Sequence, residues 1–432
     1  PPVPHTQQYP RQKPGGGTSR SSLLARIFCT IILCAVIFCG AIFSFLPSFS
    51  HNDLSKHFDT LTADAATAGT GTEDDPYIMT AVADWKTVVS RSSSSNNRTF
   101  VKLGANISAS GSFSISGVSS GTGNSIYNGA LNVPSNKYIT LDLQTYRINR
   151  GLSRTSSAAN GHVMYICSGG NLTIEGATSK TISQCGYITG GNSKSGAGGG
   201  GLCIYGTVTM NGGAIYQCYT SFANDPLGTG GGVHVGNGGK FYLNNGYVRD
   251  CEVVSAATSA GGVGVAGTSK TAGGGYFEMN GGAVFNCSSS SREGGVASQS
   301  PNSKIVINGG EIYGCTCTNA TYATALGAWT GSTVIVNGGA IHDNNSSTSK
   351  TGALCTGVNG AKMYLNGGAI YNNSCPRGAI TARADDADFI NYLYIGGGVQ
   401  IFGNSDIDVY IPANKTLTVN GALNKNGQAA HI

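Results

Sequence analysis

The acidic residues that could act as a catalytic pair lie near the end of the chain. Asp406 and Asp408 are two positions apart, so a strand would place both side chains on one face at a separation of about 6.6 Å. Glycoside hydrolysis needs two carboxyl groups roughly 5 to 9.5 Å apart. No Gly-His-Gly sequence and no Arg partner accompanies the pair. We therefore interpret both groups as solvated carboxylates and predict no catalytic residue.

A second acidic cluster could bind a cation. Asp385, Asp386 and Asp388 would offer oxygen ligands to Ca²⁺. Their spacing is not that of a calcium-binding loop, and the G-G-x-G-x-D nonapeptide repeat is absent from the sequence. We therefore expect a solvated loop here, and we predict neither a metal nor a cofactor.

The cysteines form a regular pattern. Of 13 cysteines, Cys29, Cys34 and Cys39 lie in an apolar N-terminal segment, and five others recur once per repeat. In stacked parallel coils such neighbours lie about 4.8 Å apart, within the Cα range of a disulfide, although parallel Cβ directions would strain the bridge. We favour stacked free thiols and keep inter-coil disulfides as the alternative. This thiol–amide column comprises Cys185, Cys218, Cys251, Cys287, Cys315, Asn344, Asn373 and Asn404.

An aromatic column lies two residues before the thiol–amide column. Aromatic side chains can stack on the flat faces of sugars or on one another. Because aromatic side chains are generally well buried, we favour stacking within the protein. We keep Tyr216, Phe285, Tyr313 and Tyr371 as candidate glycan-binding residues. The full column is Tyr216, Arg249, Phe285, Tyr313, His342, Tyr371 and Phe402.

Both columns belong to a repeat that begins near residue 160. Its best-preserved phrase, N-G-G-A-I-Y, returns every 28 to 36 residues. Apolar residues alternate with period two around it, which is typical of strands. Each repeat is predicted to form three short strands that stack in parallel on the next repeat, with the asparagine amides bonded one to another. The leading asparagines are Asn211, Asn244, Asn280, Asn308, Asn337 and Asn366.

This pattern predicts an all-β protein, a parallel β-helix of about eight recognisable coils. We expect it to be right-handed because parallel crossovers have that general bias. Of the 432 residues, 66 are glycine and only 11% are charged, which disfavours helical bundles. The hydrophobic share of 40% is enough for a long core and argues against disorder.

The net charge gives no sign of a nucleic-acid partner. The formal charge is +5, but four of the 26 basic residues precede residue 27, and 22 basic residues then face 21 acidic ones. A nucleic-acid-binding face needs a concentrated basic patch. We therefore expect no nucleic acid among the partners.

The repeats resemble those of two groups of exported proteins. The phrase N-G-G-A-I-Y-x-N is similar to the G-G-A-[I/L] and F-x-x-N repeats of polymorphic outer-membrane proteins. Residues 71–85, 138–152 and 408–423 look more like repetitive exported surface proteins of Gram-positive gut bacteria. The resemblance covers roughly residues 70–432 and implies fold and export rather than an activity. It also implies a β-helix truncated at its C-terminus.

The chain divides into five predicted segments. Residues 1–26 form a basic tail, and the initial Pro indicates a fragment edge or an over-extended gene model. Residues 27–46 carry no charge and would span about 30 Å as a helix, so we favour an uncleaved transmembrane anchor over a signal sequence. The basic side would stay in the cytoplasm and the remainder would lie outside. The other segments are a spacer (47–75), an N-terminal cap with early coils (76–136) and the β-helix (137–432).

These features predict an exported protein that is membrane-anchored, or secreted if the apolar segment is cleaved. Its expected role is structural or adhesive, with extracellular glycans or host surface proteins as partners. The alternative is a polysaccharide lyase or glycoside hydrolase of β-helix fold. A compact acidic cluster with a basic partner would favour the enzyme, and the columns contain none.

Overall fold

The computed structural model describes residues 68–109, 130–156, 161–194, 198–221, 230–254, 260–267, 272–319, 322–346, 352–357, 360–382, 392–405, 407–411, Ala413 and 416–420. The predicted tail, the apolar segment 27–46 and most of the predicted spacer lie outside these residues. Across the described ranges, no helix has the length and apolarity needed to cross a bilayer.

The chain folds as an all-β parallel solenoid, which confirms the coarse fold expectation. Three sheets of 12, 10 and 9 strands, here called sheets 1, 2 and 3, are each built from one strand per coil, and every neighbouring pair runs in parallel. Along the chain, a coil visits sheet 1, then sheet 2, then sheet 3, before it reaches sheet 1 again.

The strand bounds follow the coils. Sheet 1 contains Tyr77–Met79, Thr99–Leu103, Tyr138–Asp142, Asn171–Glu175, Thr207–Met210, Lys240–Leu243, Tyr276–Met279, Lys304–Ile307, Thr333–Val336, Lys362–Leu365, Leu393–Ile395 and Thr418–Val419. Sheet 2 contains Ile107–Ser108, Arg147–Asn149, Tyr187–Thr189, Ala214–Tyr216, Tyr247–Arg249, Ala283–Phe285, Glu311–Tyr313, Ala340–His342, Ala369–Tyr371 and Gln400–Phe402. Sheet 3 contains Leu131–Val133, Met164–Ile166, Leu202–Ile204, Val233–Val235, Val263–Val265, Val296–Ser298, Leu326–Ala328, Leu354–Thr356 and Ile380–Ala382.

A fourth, short sheet differs from the expectation of three strands per repeat. In five successive coils the chain stays extended for two residues beyond the turn that follows sheet 2, directly after Gly191 in the first coil and after a cysteine in the other four, and it pairs with the same segment of the next coil. Sequence periodicity misses it because two residues are too few to show alternation. Sheet 4 contains Asn192–Ser193, Tyr219–Thr220, Glu252–Val253, Ser288–Ser289 and Thr316–Cys317.

The core forms because the alternating pattern keeps apolar side chains in register. Phe241 pairs with Phe277, and Phe277 pairs with Ile305, so each side chain packs on its equivalent one coil away. The rings of Phe241 and Phe277 stack at 5.3 Å, and all three side chains are fully buried. The intervening residues of sheet 1 point outward.

The N-G-G bend shows why glycine recurs. A Cβ on Gly309 would lie 2.6 Å from the carbonyl oxygen of Asn280 on the preceding coil, so the close approach excludes any side chain. The next residue, Gly310, has φ of +81°, which glycine adopts without strain.

A short helix packs at the N-terminal end of the core. It spans Trp85–Ser90, and the Asp84 carboxylate before it accepts hydrogen bonds from the backbone N–H groups of Thr80 and Ala81. Trp85 is fully buried in the core cluster, and its indole N–H donates to the carbonyl of Asn132 at 2.7 Å. The helix therefore covers apolar surface at this end of the stacked coils.

Candidate functional site

The predicted aromatic column forms one continuous stack beside sheet 2. The ring centroids of Phe285 and Tyr313 lie 4.7 Å apart with an interplanar angle of 4°. His342 follows at 5.1 Å from Tyr313, Tyr371 at 4.9 Å from His342, and Phe402 at 5.3 Å from Tyr371, all nearly parallel. The parallel register of sheet 2 places these residues directly above one another, so their faces meet.

The column begins with a cation between two rings. The guanidinium carbon of Arg249 lies 5.4 Å from the ring centroid of Tyr216 and 4.7 Å from that of Phe285. Its Nε also donates to the Asp250 carboxylate at 2.6 Å. The structure therefore brings the four candidate glycan-binding residues into one column, with Tyr216 separated from the other three by Arg249.

The stack leaves ring edges, rather than ring faces, open to solvent. Tyr313 has Phe285 on one face and His342 on the other, and Phe285 is only 4% exposed. The Lys180 ammonium lies 5.1 Å from the Tyr313 centroid. Burial raises the pKa of Tyr313, and Lys180 partly offsets that effect. Because a sugar packs on an aromatic face, it would meet only edges and hydroxyl groups along the middle of this stack.

The residue after each ring turns the chain inward. Its φ is left-handed in every coil of the aromatic column, for example 52° at Asp343. Asn, Asp and Gly tolerate this conformation best and occupy six of the seven positions, with Gln217 as the exception. The next side chain, that of the thiol–amide column, consequently points into the interior. The turn residues are Gln217, Asp250, Asn286, Gly314, Asp343, Asn372 and Gly403.

The first part of the thiol–amide column consists of free, buried thiols from Cys218 to Cys315. The prediction that Cys185 begins the column is wrong, because Cys185 precedes the sheet 2 strand of its coil and Gly191 is the residue in register with Cys218. The ten cysteines in the described residues are all unpaired by disulfides, as in the arrangement that we favoured from the sequence. Cys315 Sγ lies 3.5 Å from the carbonyl oxygen of Tyr313 and 3.9 Å from that of Val284 on the preceding coil. Burial raises the pKa of the Cys218 and Cys287 thiols, which keeps them protonated as weak donors.

Asparagine takes over the same hydrogen bonds in the second part of the column. Asn344 Nδ2 donates to the carbonyl of His342 at 2.9 Å and to that of Ile312 on the preceding coil at 3.0 Å. Its Oδ1 accepts the backbone N–H of Cys315 at 3.0 Å. Asn373 and Asn404 repeat the pattern. Cysteine and asparagine are therefore equivalent here as inward-pointing donors.

The predicted ladder of leading asparagines is confirmed. Each Nδ2 donates to the Oδ1 of the preceding coil, for example Asn280 to Asn244 at 3.0 Å and Asn308 to Asn280 at 2.9 Å. At its N-terminal end the ladder begins at a carboxylate, because Asn211 Nδ2 donates to Glu175 Oε1 at 2.7 Å. It continues through Asn337 to Asn366.

Sequence reasoning missed a buried carboxyl group over the outer face of sheet 3. Glu293 is fully buried, and Trp329 Nε1 donates to its Oε1 at 2.7 Å, while Oε2 has no described partner. Burial raises the pKa of Glu293 to about 7, although Arg292 and the Trp329 hydrogen bond oppose the shift. The sequence signal is a lone glutamate where other repeats place Gly230 or Ala260 before the paired small residues.

A buried histidine lies on the same outer face, nearer the N-terminus. His234 is fully buried between Cys203 and Gly264 on the neighbouring coils, and Tyr205 meets its ring edge-on at 5.8 Å. Neither of its ring nitrogens has a hydrogen-bond partner in the described residues. Burial lowers the pKa of His234 to about 4, so the ring is neutral.

Of the acidic residues considered as a catalytic pair or a calcium site, only Asp408 lies within the described residues. Asp385, Asp386, Asp388 and Asp406 lie outside the described residues. The prediction of a solvated carboxylate is wrong for Asp408, which is buried and accepts a hydrogen bond from Asn404 Nδ2 at 2.7 Å. In the part of the chain that is described, no three His, Cys, Asp or Glu side chains gather in a way that could hold a metal ion.

Neither a family model, nor a curated protein, nor a solved structure matches the chain.

Proposed function

We propose that this chain is an exported surface protein whose β-helix acts as a structural or adhesive rod that contacts extracellular glycans or host surface proteins. The proposal includes a right-handed helix, which follows from the general bias of parallel crossovers. It also includes a membrane anchor at residues 27–46, with the protein secreted if that segment is cleaved. The resemblance of the repeats to those of exported surface proteins supports the β-helix fold and the export of the chain.

The observation that carries this proposal is the unbroken register of side chains along the coils. The exposed asparagine ladder repeats one amide per coil from Asn211 to Asn366, and the aromatic column presents a ring or guanidinium edge at successive coils. Solenoids of this kind expose long surfaces on which each step resembles the last. A repetitive surface suits multivalent contact with a repetitive partner, because many weak contacts add through effective concentration.

The partners of three described carboxylates favour adhesion over the lyase or hydrolase alternative, whereas Glu311 and Asp343 approach the ring of His342 at 3.9 Å and 2.6 Å. Asp250 binds Arg249, Glu175 accepts from Asn211, and Glu278 accepts the hydroxyl of Tyr276. A general acid and base need carboxyl groups that face the substrate together. Each of these three carboxylates instead binds a nearby side chain, and the three carboxylates lie on different coils.

A binding screen and a product assay on the same polysaccharides test the proposal. The full chain is applied to a glycan array, and reducing ends and unsaturated products are measured in parallel. We expect binding without product, and release of product would overturn the adhesive role. A phosphatase reporter that is active only after export, fused after residue 75, tests the anchor. Activity of the reporter is expected, and its absence would contradict export.

A further inference from the structure

The outer face of sheet 1 carries a column of lysines at a fixed interval. Lys240 pairs with Tyr276, Tyr276 with Lys304, Lys304 with Thr333, and Thr333 with Lys362. The lysines therefore occupy every second coil, and all three are exposed. At about 4.8 Å per coil, successive ammonium groups stem from backbone positions roughly 10 Å apart.

These three positive charges are not neutralised by the protein. Within the described residues, Lys240, Lys304 and Lys362 form no ion pair. The five strands from Lys240–Leu243 to Lys362–Leu365 contain one acid, Glu278, whose carboxylate accepts the hydroxyl of Tyr276. The lysine column is therefore a strip of available cations.

A second outward column, two residues further along each strand, is apolar except for one acid. It contains Tyr242, Glu278, Val306, Ile335 and Tyr364, and the Glu278 carboxylate accepts the hydroxyl of Tyr276. Tyr364 stacks on Tyr394 of the next coil at 4.6 Å. The result is a flat strip with aromatic and aliphatic groups on one side and regularly spaced cations on the other. We call these two columns together the lysine face.

From this arrangement we infer that the lysine face binds an acidic polysaccharide that carries one carboxylate in every two sugars and lies along the axis of the coils. Two sugars of an extended β-linked chain cover a length close to the lysine interval. Their apolar C–H surfaces can pack on Ile335 and on the ring edges of Tyr242 and Tyr364, while their acid groups reach the ammonium groups. The inference rests on the proposed adhesive function and names its ligand class.

The spacing disfavours a nucleic acid as the occupant. Each strand of a DNA duplex carries a phosphate about every 3.4 Å along the axis, so lysines at roughly 10 Å would meet about one phosphate in three. A sparsely charged polymer matches the face without leaving uncompensated anions. The long stems of the lysines let each ammonium group follow its partner.

The test measures binding of the full chain to hyaluronan, in which glucuronate alternates with a neutral sugar. The variant combines Lys240→Gln, Lys304→Gln and Lys362→Gln, and a second variant replaces the same lysines with Arg. The matched control removes three exposed cations elsewhere. We expect the Gln variant to bind at least tenfold more weakly, the Arg variant to retain binding, and salt to weaken the wild-type complex. The control comprises Lys86→Gln, Arg147→Gln and Lys194→Gln.

Three results would overturn the inference. Equal binding by the Gln variant and the control variant would remove the lysines from the site. Equal competition by oligothymidylate would indicate a nucleic-acid face. Binding to neutral glycans on the array with no binding to hyaluronan would leave the adhesive function standing and remove the acidic ligand. Thermal unfolding of each variant near the wild-type temperature verifies that the comparison concerns folded protein.

Discussion

The backbone N–H of Cys315 donates to the side-chain oxygen of Asn344 at 3.0 Å, across the junction at which the column changes from thiols to amides. The two residues occupy the same place on successive coils, and each directs its side-chain donor at the carbonyl two residues before it. A sulfur donor and an amide donor thus perform one structural task. The amide does more, because it also accepts a hydrogen bond from the coil before it.

Removal of the Asn344 side chain is expected to be costly. Asn344→Ala leaves the N–H of Cys315 and the carbonyl of Ile312 without their side-chain partner in the interior, so we expect a loss of about 2–4 kcal/mol in the free energy of unfolding. Asn308→Ala is the control, because Asn308 belongs to the exposed ladder. Water can replace its bonds, and its loss is expected to stay below about 1 kcal/mol. Equal losses in guanidinium unfolding would contradict the distinction.

The equivalence of thiol and amide can be tested at Cys315 itself. In Cys315→Asn the new amide can donate to the carbonyls of Tyr313 and Val284, so stability is expected to stay within about 1 kcal/mol of the parent. Val284→Asn places the same side chain in the fully buried apolar column of sheet 2 on the preceding coil. There the buried amide is expected to cost about 4 kcal/mol or more. Similar stabilities of the two variants would refute the equivalence.

The buried cysteines are expected to resist alkylation until the protein unfolds. Burial raises the pKa of Cys167 and of Cys375 to about 11, and that of Cys317 to about 12, so the reactive thiolate is scarce at pH 8. Iodoacetamide labelling followed by peptide mapping should find the ten described cysteines unmodified in the native chain and modified in guanidinium. Disulfide-linked peptides in an unreduced digest would instead favour the inter-coil bridges.

The aromatic stack is expected to contribute to stability at its centre. Tyr313→Ala removes the ring contacts with Phe285 and His342, which at about 0.5–1.5 kcal/mol each beyond area burial predicts a loss of about 2 kcal/mol or more. Tyr313→Phe keeps both contacts and is expected to change little. Chemical unfolding measures the stability, and the glycan array measures binding by the same variants. Lost glycan binding at unchanged stability would instead assign Tyr313 to a binding site.

Glu293 and His234 are expected to give opposite pH dependences of stability. The folded pKa of Glu293 is raised to about 7, so its contribution is fully present below its unfolded value near 4.5 and is lost as pH rises through 7. The folded pKa of His234 is lowered to about 4, so its contribution is present above 6.5 and is lost as pH falls toward 4. Each slope is about 1.4 kcal/mol per pH unit, and the two nearly cancel between pH 4.5 and 6.5.

Two variants separate these slopes. Glu293→Gln keeps an acceptor for Trp329, and relative to wild type its stability should improve as pH rises from 4.5 to 7.5. His234→Phe keeps a ring against Tyr205, and its relative stability should improve as pH falls over the same range. Urea unfolding at both pH values measures the differences, and parallel pH profiles for the variants and wild type would show that neither group titrates as described.

The sequence alone determined much of the repeating architecture of this protein. Asn211 and its five equivalents mark a fixed point of each repeat, and parallel stacking then requires their amides to meet. The same logic aligned Cys315 with Asn344, because both follow the apolar strand of sheet 2 by the same number of residues. Periodicity suffices at such positions because each coil repeats the local geometry of the one before it.

Only the tertiary structure decided what lies over the outer faces and at the end of the coils. The segments that bring Glu293 to Trp329 vary in length between coils, so no fixed spacing in the sequence predicts this pair. Trp85 packs beneath the first coils from a helix outside the repeat. The direction of the aromatic faces depends on side-chain packing between coils, which brings Tyr313 against Phe285 and His342. These contacts join residues distant along the chain, whereas sequence pattern records only the period that each strand imposes on itself.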